Sequence, residues 1–237
     1  MAGRPLPAGQ GPEPLAQHVL GMVRDSVPPI HPAARPFVAA PLAVALLGWR
    51  HGWVRRSSLA AAGAIALFFR NPERVPPSLA GAVVAPADGE VTLVDEAVPP
   101  PELGMGDAPL PRVSIFLSVL DVHTQKVPVS GRVASIAYTP GKFLPADVPD
   151  ASTDNERNAM RIETADGTAV GVVQIAGLVA RRIVCEVAEG DELTIGDTYG
   201  LIRFGSRLDT YLPAGTSLIP EVGQRTVAGE SLLAVLG

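Results

Sequence analysis

From residue 80 to the C-terminus the chain alternates, and this limits the fold more than any other feature. Arg112-Val113-Ser114-Ile115-Phe116-Leu117-Ser118-Val119 carries Val, Ile, Leu and Val on one face, the period-2 pattern of a half-buried strand. Short runs of this kind recur at 131–138, 158–164, 168–176, 181–188, 199–204 and 231–236. Turn signals separate them: Pro86-Ala87-Asp88-Gly89, Ala165-Asp166-Gly167 and Glu189-Gly190-Asp191. No run there has the length and period of a long amphipathic helix. The expected fold is therefore mainly β, an antiparallel barrel- or sandwich-like domain over 76–237. Residues 97–111 and 139–155 read as long loops over that scaffold, where function often resides.

The first third of the chain differs. Residues 1–17 are rich in Pro, Gly and Ala without an apolar period, as in a disordered leader, and lack the basic start and apolar run of a signal peptide. Over 18–75 two uncharged apolar runs, Phe37 to Gly48 and Leu59 to Phe69, flank Trp49-Arg50-His51-Gly52-Trp53-Val54-Arg55-Arg56. Each is shorter than the roughly 20 residues a bilayer-spanning helix needs. Two short apolar helices joined by a Trp/Arg turn describe a hairpin dipping into one leaflet, with Trp at the interface and Arg toward anionic headgroups. The alternative is a helical hairpin buried in an ordinary core.

Composition narrows the chemistry. A net charge of −5 gives no reason to expect a nucleic-acid partner. The single cysteine, Cys185, cannot form an intrachain disulfide and reads as a small buried hydrophobe. Lys126 and Lys142 are the only lysines, leaving seventeen of the nineteen basic residues as arginine. His123 is the one histidine in the β region. A zinc peptidase lacks its ligands here, and no metal site is expected. A pyridoxal-phosphate decarboxylase lacks a glycine-rich phosphate loop before either lysine.

Four segments offer reactive groups: Pro86-Ala87-Asp88-Gly89; Asp121-Val122-His123 at a strand end; Pro140-Gly141-Lys142-Phe143 with Asn155-Glu156-Arg157-Asn158; and Arg203-Phe204-Gly205-Ser206-Arg207. Taken singly, each reads as a turn, a structural histidine, a solvated loop or a common dipeptide. A strand-end histidine beside polar loops is a reasonable acid–base group.

As a set, however, the segments resemble one family. Phe68-Phe69-Arg70-Asn71-Pro72-Glu73-Arg74, Ala85-Pro86-Ala87-Asp88-Gly89 and Phe116-Leu117-Ser118-Val119-Leu120-Asp121-Val122-His123 are followed by Asn155-Glu156-Arg157-Asn158, Gly177-Leu178-Val179-Ala180-Arg181-Arg182-Ile183 and Phe204-Gly205-Ser206-Arg207. Their order and spacing are similar to those of the short subfamily of phosphatidylserine decarboxylase proenzymes, from about residue 30 to the C-terminus. The resemblance implies that the proenzyme cuts itself between Gly205 and Ser206, leaving a large chain, 1–205, and a small chain, 206–237. Ser206 would become a covalent pyruvoyl cofactor and form a Schiff base with phosphatidylserine, which loses CO2 to give phosphatidylethanolamine. His123, held by Asp88, would be the base that activates Ser206. The family also implies action at the cytoplasmic side of the cell membrane and, in many members, a dimer of the two-chain unit.

Two departures stand out. Where the long form of the family has a second histidine three residues after the first, this chain has Lys126, and where the long form reads Leu-Gly-Ser-Thr, this chain reads Phe-Gly-Ser-Arg. Either His123 serves both self-cleavage and decarboxylation or Lys126 takes part; a lysine base needs a strongly lowered pKa, which favours His123. Two rival classes fit less well. A serine hydrolase using Ser206, His123 and Asp88 lacks the G-x-S-x-G elbow and alternating β/α units. A lipoyl- or biotinyl-type carrier needs a lysine at a hairpin tip, and neither lysine sits in the Gly-Asp turns of 189–197.

Overall fold

The computed structural model describes residues 28–142, 154–177, 182–203 and 205–237. The leader expected over 1–17 lies outside the described residues, as do residues 18–27, 143–153 (most of the loop expected over 139–155), 178–181 and 204.

Thirteen strands among the described residues are β1 (Ala82–Val84), β2 (Gly89–Ala97), β3 (Leu110–Leu117), β4 (Thr124–Lys126), β5 (Gly131–Thr139), β6 (Arg157–Glu163), β7 (Ala169–Ala176), β8 (Ile183–Cys185), β9 (Glu192–Leu193), β10 (Thr198–Ile202), β11 (Ser206–Tyr211), β12 (Arg225–Thr226) and β13 (Leu232–Val235). Eight form one curled sheet in the order β12-β2-β3-β11-β7-β6-β5-β9. Its pairings are antiparallel throughout. A three-stranded sheet, β4-β10-β8, and the β1-β13 pair complete the scaffold. The mainly β, antiparallel, half-barrel architecture is the one the alternation predicts. Inward residues such as Val91, Val113, Ile115, Leu117, Val172 and Leu208 make the main core.

β2 and β11 escaped the runs read from the alternation, as did the short β1, β4, β9 and β12. In β11 both faces are buried. Leu208 joins the main core. Tyr211 packs on the opposite face against Leu103, Leu110, Val173 and Ile175. On that second face Arg207 Nε donates to Asp209 Oδ1 at 2.9 Å, with both residues about 1% exposed. A charged pair in a buried strand hides the hydrophobic signal that marks a strand in sequence. The expected loop 97–111 supplies the lid of this second face through Leu103 and Leu110.

The first two helices are α1 (Arg35–Leu47) and α2 (Gly52–Phe68), packed side by side. The connection is residues 48–51 only, because α2 begins at Gly52. Trp53, Arg55 and Arg56, expected in the turn, lie in the first turns of α2; Trp and Arg oppose helix no more than other side chains. No described helix is long and apolar enough to cross a membrane. The pair is fastened at its base: the His31 N–H donates to the Phe69 carbonyl at 2.8 Å. His31 Nδ1 accepts from the Ala33 N–H, so Nε2 carries the hydrogen and donates to Glu186 at 3.0 Å. Ala34, Phe68 and Phe69 pack on Leu201 of β10. Beyond that base, Leu46, Leu47, Trp49 and Trp53 are exposed.

Cys185 is half-buried in β8, its Sγ 3.7 Å from the Val187 carbonyl; burial pushes the thiol's pKa up.

Candidate active site

Ser206 opens β11, paired with Leu117 of β3 on one side and Ala176 of β7 on the other. It shares its face with Leu208, so its hydroxyl is directed inward; Ser206 is fully buried and its Oγ has no hydrogen-bond partner. An unsatisfied buried hydroxyl costs about 1–3 kcal/mol and calls for an explanation. Gly205 precedes it at φ +58°, a left-handed conformation that other L residues reach only at a cost. The Gly205 carbonyl accepts a hydrogen bond from the Gly177 N–H at 3.1 Å. A donor on this oxygen polarises the Gly205–Ser206 peptide and favours charge developing there during attack.

His123 follows the β3–β4 turn and is about 1% exposed. Its Nδ1 lies 2.9 Å from the Asp121 carbonyl oxygen. A carbonyl only accepts, so Nδ1 carries the proton and neutral His123 presents a bare lone pair at Nε2. That Nε2 is buried and unpartnered. The ring packs on Phe68 of α2, centroids 4.1 Å apart. Burial lowers the His123 pKa to about 4, against the opposing pull of Asp121, and the Arg70 charge lowers it further. The imidazole is neutral at pH 7.

The turn that aims His123 is built by Asp121. One carboxylate oxygen accepts from both the N–H and the hydroxyl of Ser118 at 2.8 Å, and the other takes the Arg225 guanidinium of β12. Burial alone would raise this carboxyl's pKa, but Ser118 and Arg225 together hold it below the usual range.

Asp88 makes no hydrogen bond to His123. Its carboxylate takes the Arg74 guanidinium at 2.8 and 3.0 Å and the Ala228 N–H at 2.8 Å. A buried carboxylate is satisfied better by a permanent guanidinium than by a neutral imidazole, which explains the choice. Burial nonetheless dominates and raises the Asp88 pKa, the Ala228 and Arg74 contributions opposing it. Lys126 ends β4 near this pair: its ammonium donates to Thr198 Oγ1 at 2.9 Å, and Thr198 donates onward to Asn71. Burial, then Arg74, lowers the Lys126 pKa. The residues therefore divide by satisfaction: Ser206 Oγ and His123 Nε2 have no hydrogen-bond partner, whereas Asp88, Arg74 and Lys126 are held by charge and hydrogen bonds.

Comparison with known proteins matches the chain to one family. A profile of the phosphatidylserine decarboxylase family matches residues 62–234. The phosphatidylserine decarboxylase proenzyme of Mycobacterium marinum is 66% identical over 220 residues, covering 93% of this chain and 92% of that protein. The proenzyme of Rhodococcus jostii is 61% identical over 236 residues and covers both chains completely; that of Mycobacterium tuberculosis is 60% identical over 234 residues, with 99% of each covered.

The chain belongs to the phosphatidylserine decarboxylase family.

Within this decarboxylase fold, sequence reasoning left four contributors without a role. Asp121 and Arg74 stand inside the quoted segments, yet their work is done through a carbonyl oxygen and a partner 14 residues away. Asp121's place two residues before His123 is the one sequence signal that pointed to it. Gly177 opens a quoted segment but acts through its backbone, and Arg225, an exposed arginine on a two-residue strand, lies outside every segment. No group of three or more His, Cys, Asp or Glu able to hold a metal occurs among the described residues.

Proposed function

We propose that this chain is a self-processing phosphatidylserine decarboxylase in which Ser206 attacks the carbonyl carbon of Gly205. Family membership supports the activity. The observation that carries the assignment of the bond is the buried, unpartnered Ser206 hydroxyl behind a left-handed Gly205 whose carbonyl is already hydrogen-bonded.

In the proposed sequence His123 Nε2 takes the Ser206 hydroxyl proton and delivers it to the departing Ser206 nitrogen. The peptide bond breaks as the Gly205–Oγ ester forms. Abstraction of the Ser206 α-proton then expels the Gly205 carboxylate, and one water hydrolyses the remaining dehydroalanine to pyruvoyl with release of ammonia. A base of pKa about 4 is weak at neutral pH. A slow step suits a reaction that each chain performs once. Asp88, Arg74 and Lys126 act in this reading as the charged wall of the site, with Lys126 held by Thr198 rather than free to accept a proton.

Ser206 fits the pyruvoyl role because its position is water-poor and lies between two strands that remain paired after cleavage. A pyruvoyl ketone supplies an electron sink for the pair released with CO2. His123 Nε2 would take a proton that the substrate ammonium gives up on condensing with the ketone and deliver it to the substrate carbon once CO2 has left. The small chain, 206–237, is retained because β11, β12 and β13 pair with β3, β7, β2 and β1 of the large chain.

The exposed apolar residues of α1 and α2 support docking on the cytoplasmic face of the cell membrane, where the lipid substrate resides. Intact-mass measurement of purified protein, with CO2 release from phosphatidylserine vesicles, tests the reading. Two chains, the smaller beginning with a pyruvoyl group, are expected; one unbroken chain in active enzyme refutes it.

A further inference from the structure

Arg203 lies two residues before Gly205. Its guanidinium carbon stands 4.7 Å from the ring centre of Phe37 on α1, and its Nε is buried without a hydrogen bond. Phe37 stacks on Phe69, Phe69 meets Phe68 edge-on, and Phe68 packs on His123. Arg203 is thus joined to the candidate base by one run of aromatic contacts along the base of the helices.

Arg182 is its neighbour. The Arg203 N–H donates to the Arg182 carbonyl at 3.2 Å. Burial and then the Arg182 charge lower the Arg203 pKa, so the two guanidiniums lie within electrostatic reach of each other. Other arginines of the barrel have found acids: Arg74 pairs with Asp88, Arg112 with Asp95, Arg157 with Glu102, Arg207 with Asp209 and Arg225 with Asp121. Glu186, close in sequence, is taken by His31. Among the described residues no carboxylate pairs with Arg203 or Arg182. An Arg203 guanidinium held on an aromatic ring, with Arg182 beside it and no counter-ion among the described residues, suits an anion with several oxygens.

We propose that Arg203 and Arg182 bind the phosphodiester of the phospholipid headgroup and so fix the serine amino group at position 206. The dimensions allow it. The phosphorus of phosphatidylserine is four bonds from the amino nitrogen, roughly 5 Å, and three residues of chain span at most about 11 Å between Arg203 and Ser206. The arginine side chain covers the difference. The receptor also sits where α1 meets the barrel, so acyl chains leaving the phosphate run toward the exposed apolar residues of the helices.

The site rests on the decarboxylase reading, and the test separates the two. Processed enzyme in nonionic mixed micelles is assayed for CO2 release from phosphatidylserine, with two soluble competitors: glycerophosphoserine, which keeps the phosphodiester, and an O-alkyl serine, which lacks it. Arg203→Gln and Arg182→Gln are each expected to weaken inhibition by glycerophosphoserine about 10- to 100-fold, so that the wild-type preference for it over the O-alkyl serine collapses. Arg132→Gln, an exposed control, keeps that preference. Unchanged inhibition by glycerophosphoserine in both variants overturns the site, as does equal weakening for both competitors, which marks a structural role. Loss confined to sedimentation with anionic vesicles assigns the pair to bulk lipid and overturns it too. If Arg203→Gln does not self-cleave, Arg182→Gln carries the test; failure of both to self-cleave assigns the pair to maturation and overturns the site. A wild-type enzyme that releases no CO2 overturns the decarboxylase reading instead.

Discussion

The barrel and the helical pair are built from similarly apolar residues used in opposite ways. In the barrel Val113, Ile115, Leu117 and Leu208 are fully buried. In the helices Leu46, Leu47 and Trp53 are 74%, 84% and 75% exposed. The barrel buries its apolar surface against itself. The helices bury theirs only at the base, around Ala34, Phe68 and Phe69, and leave the far end uncovered. A contiguous exposed apolar surface on one element marks a contact yet to be made. The proposed division of labour follows: the barrel holds the reactive groups, and the helices, which touch His123 through Phe68, carry the proposed approach to the lipid.

The strongest way to break this comparison is at the reactive serine. Ser206→Ala is expected to remain a single chain with no measurable decarboxylation while its barrel stays folded; intact mass, CO2 release and circular dichroism check the three parts. Cleavage in that variant would remove Ser206 as the nucleophile.

Next come paired changes, one in each region. Leu208→Ala opens a cavity in the main core and should cost about 2–5 kcal/mol in urea unfolding. Leu46→Glu with Leu47→Glu should leave that unfolding curve within roughly 0.5 kcal/mol. The same double change should cut partitioning onto phospholipid vesicles at least about 100-fold, because burying each leucine is worth about 1.5–3 kcal/mol. Equal stability losses in the two variants would mean that the helices are core after all.

A smaller effect reads His123 through pH. Its pKa falls from the ordinary 6.5 to about 4 in the folded protein. Between those values the unfolded chain binds a proton that the folded chain does not, so stability falls as pH drops from about 6.5 to about 4 and is unaffected above. The loss approaches roughly 3 kcal/mol. Asp88, whose pKa is raised, acts in the opposite sense at the acid end. His123→Gln in an uncleaved Ser206→Ala background isolates the histidine: its urea midpoint should lose the decline over this window. A parallel pH dependence in both proteins would contradict the buried neutral imidazole.

The smallest effect concerns Gly205. A methyl group there meets no atom within 4 Å, so only its φ of +58° resists substitution. Gly205→Ala in the same uncleaved background should cost about 1–2 kcal/mol in urea unfolding.

Much of this was legible in the chain. The alternation located β3, β5, β6, β7, β10 and β13 to within a few residues because each has one apolar face toward a common core. The run 181–188 pairs only over Ile183–Cys185, opposite a β10 of five residues. β11 was invisible as a strand because Arg207 and Asp209 neutralise each other inside the fold. The resemblance singled out Gly205, Ser206, His123 and Asp88 together, but not their partners. Asp88 went to Arg74, and His123 to a backbone oxygen, because a buried carboxylate demands a cation and a neutral imidazole does not.

By itself, then, the sequence determined a mainly antiparallel β domain, two short apolar helices and the family whose segments it carries in order. Those properties are local or additive along the chain, readable from period, turn residues and spacing. The tertiary structure alone decided which buried atoms are left without hydrogen-bond partners among the described residues, Ser206 Oγ, His123 Nε2 and Arg203 Nε among them. Whether a polar atom is satisfied depends on every element packed around it, and no stretch of sequence contains that information.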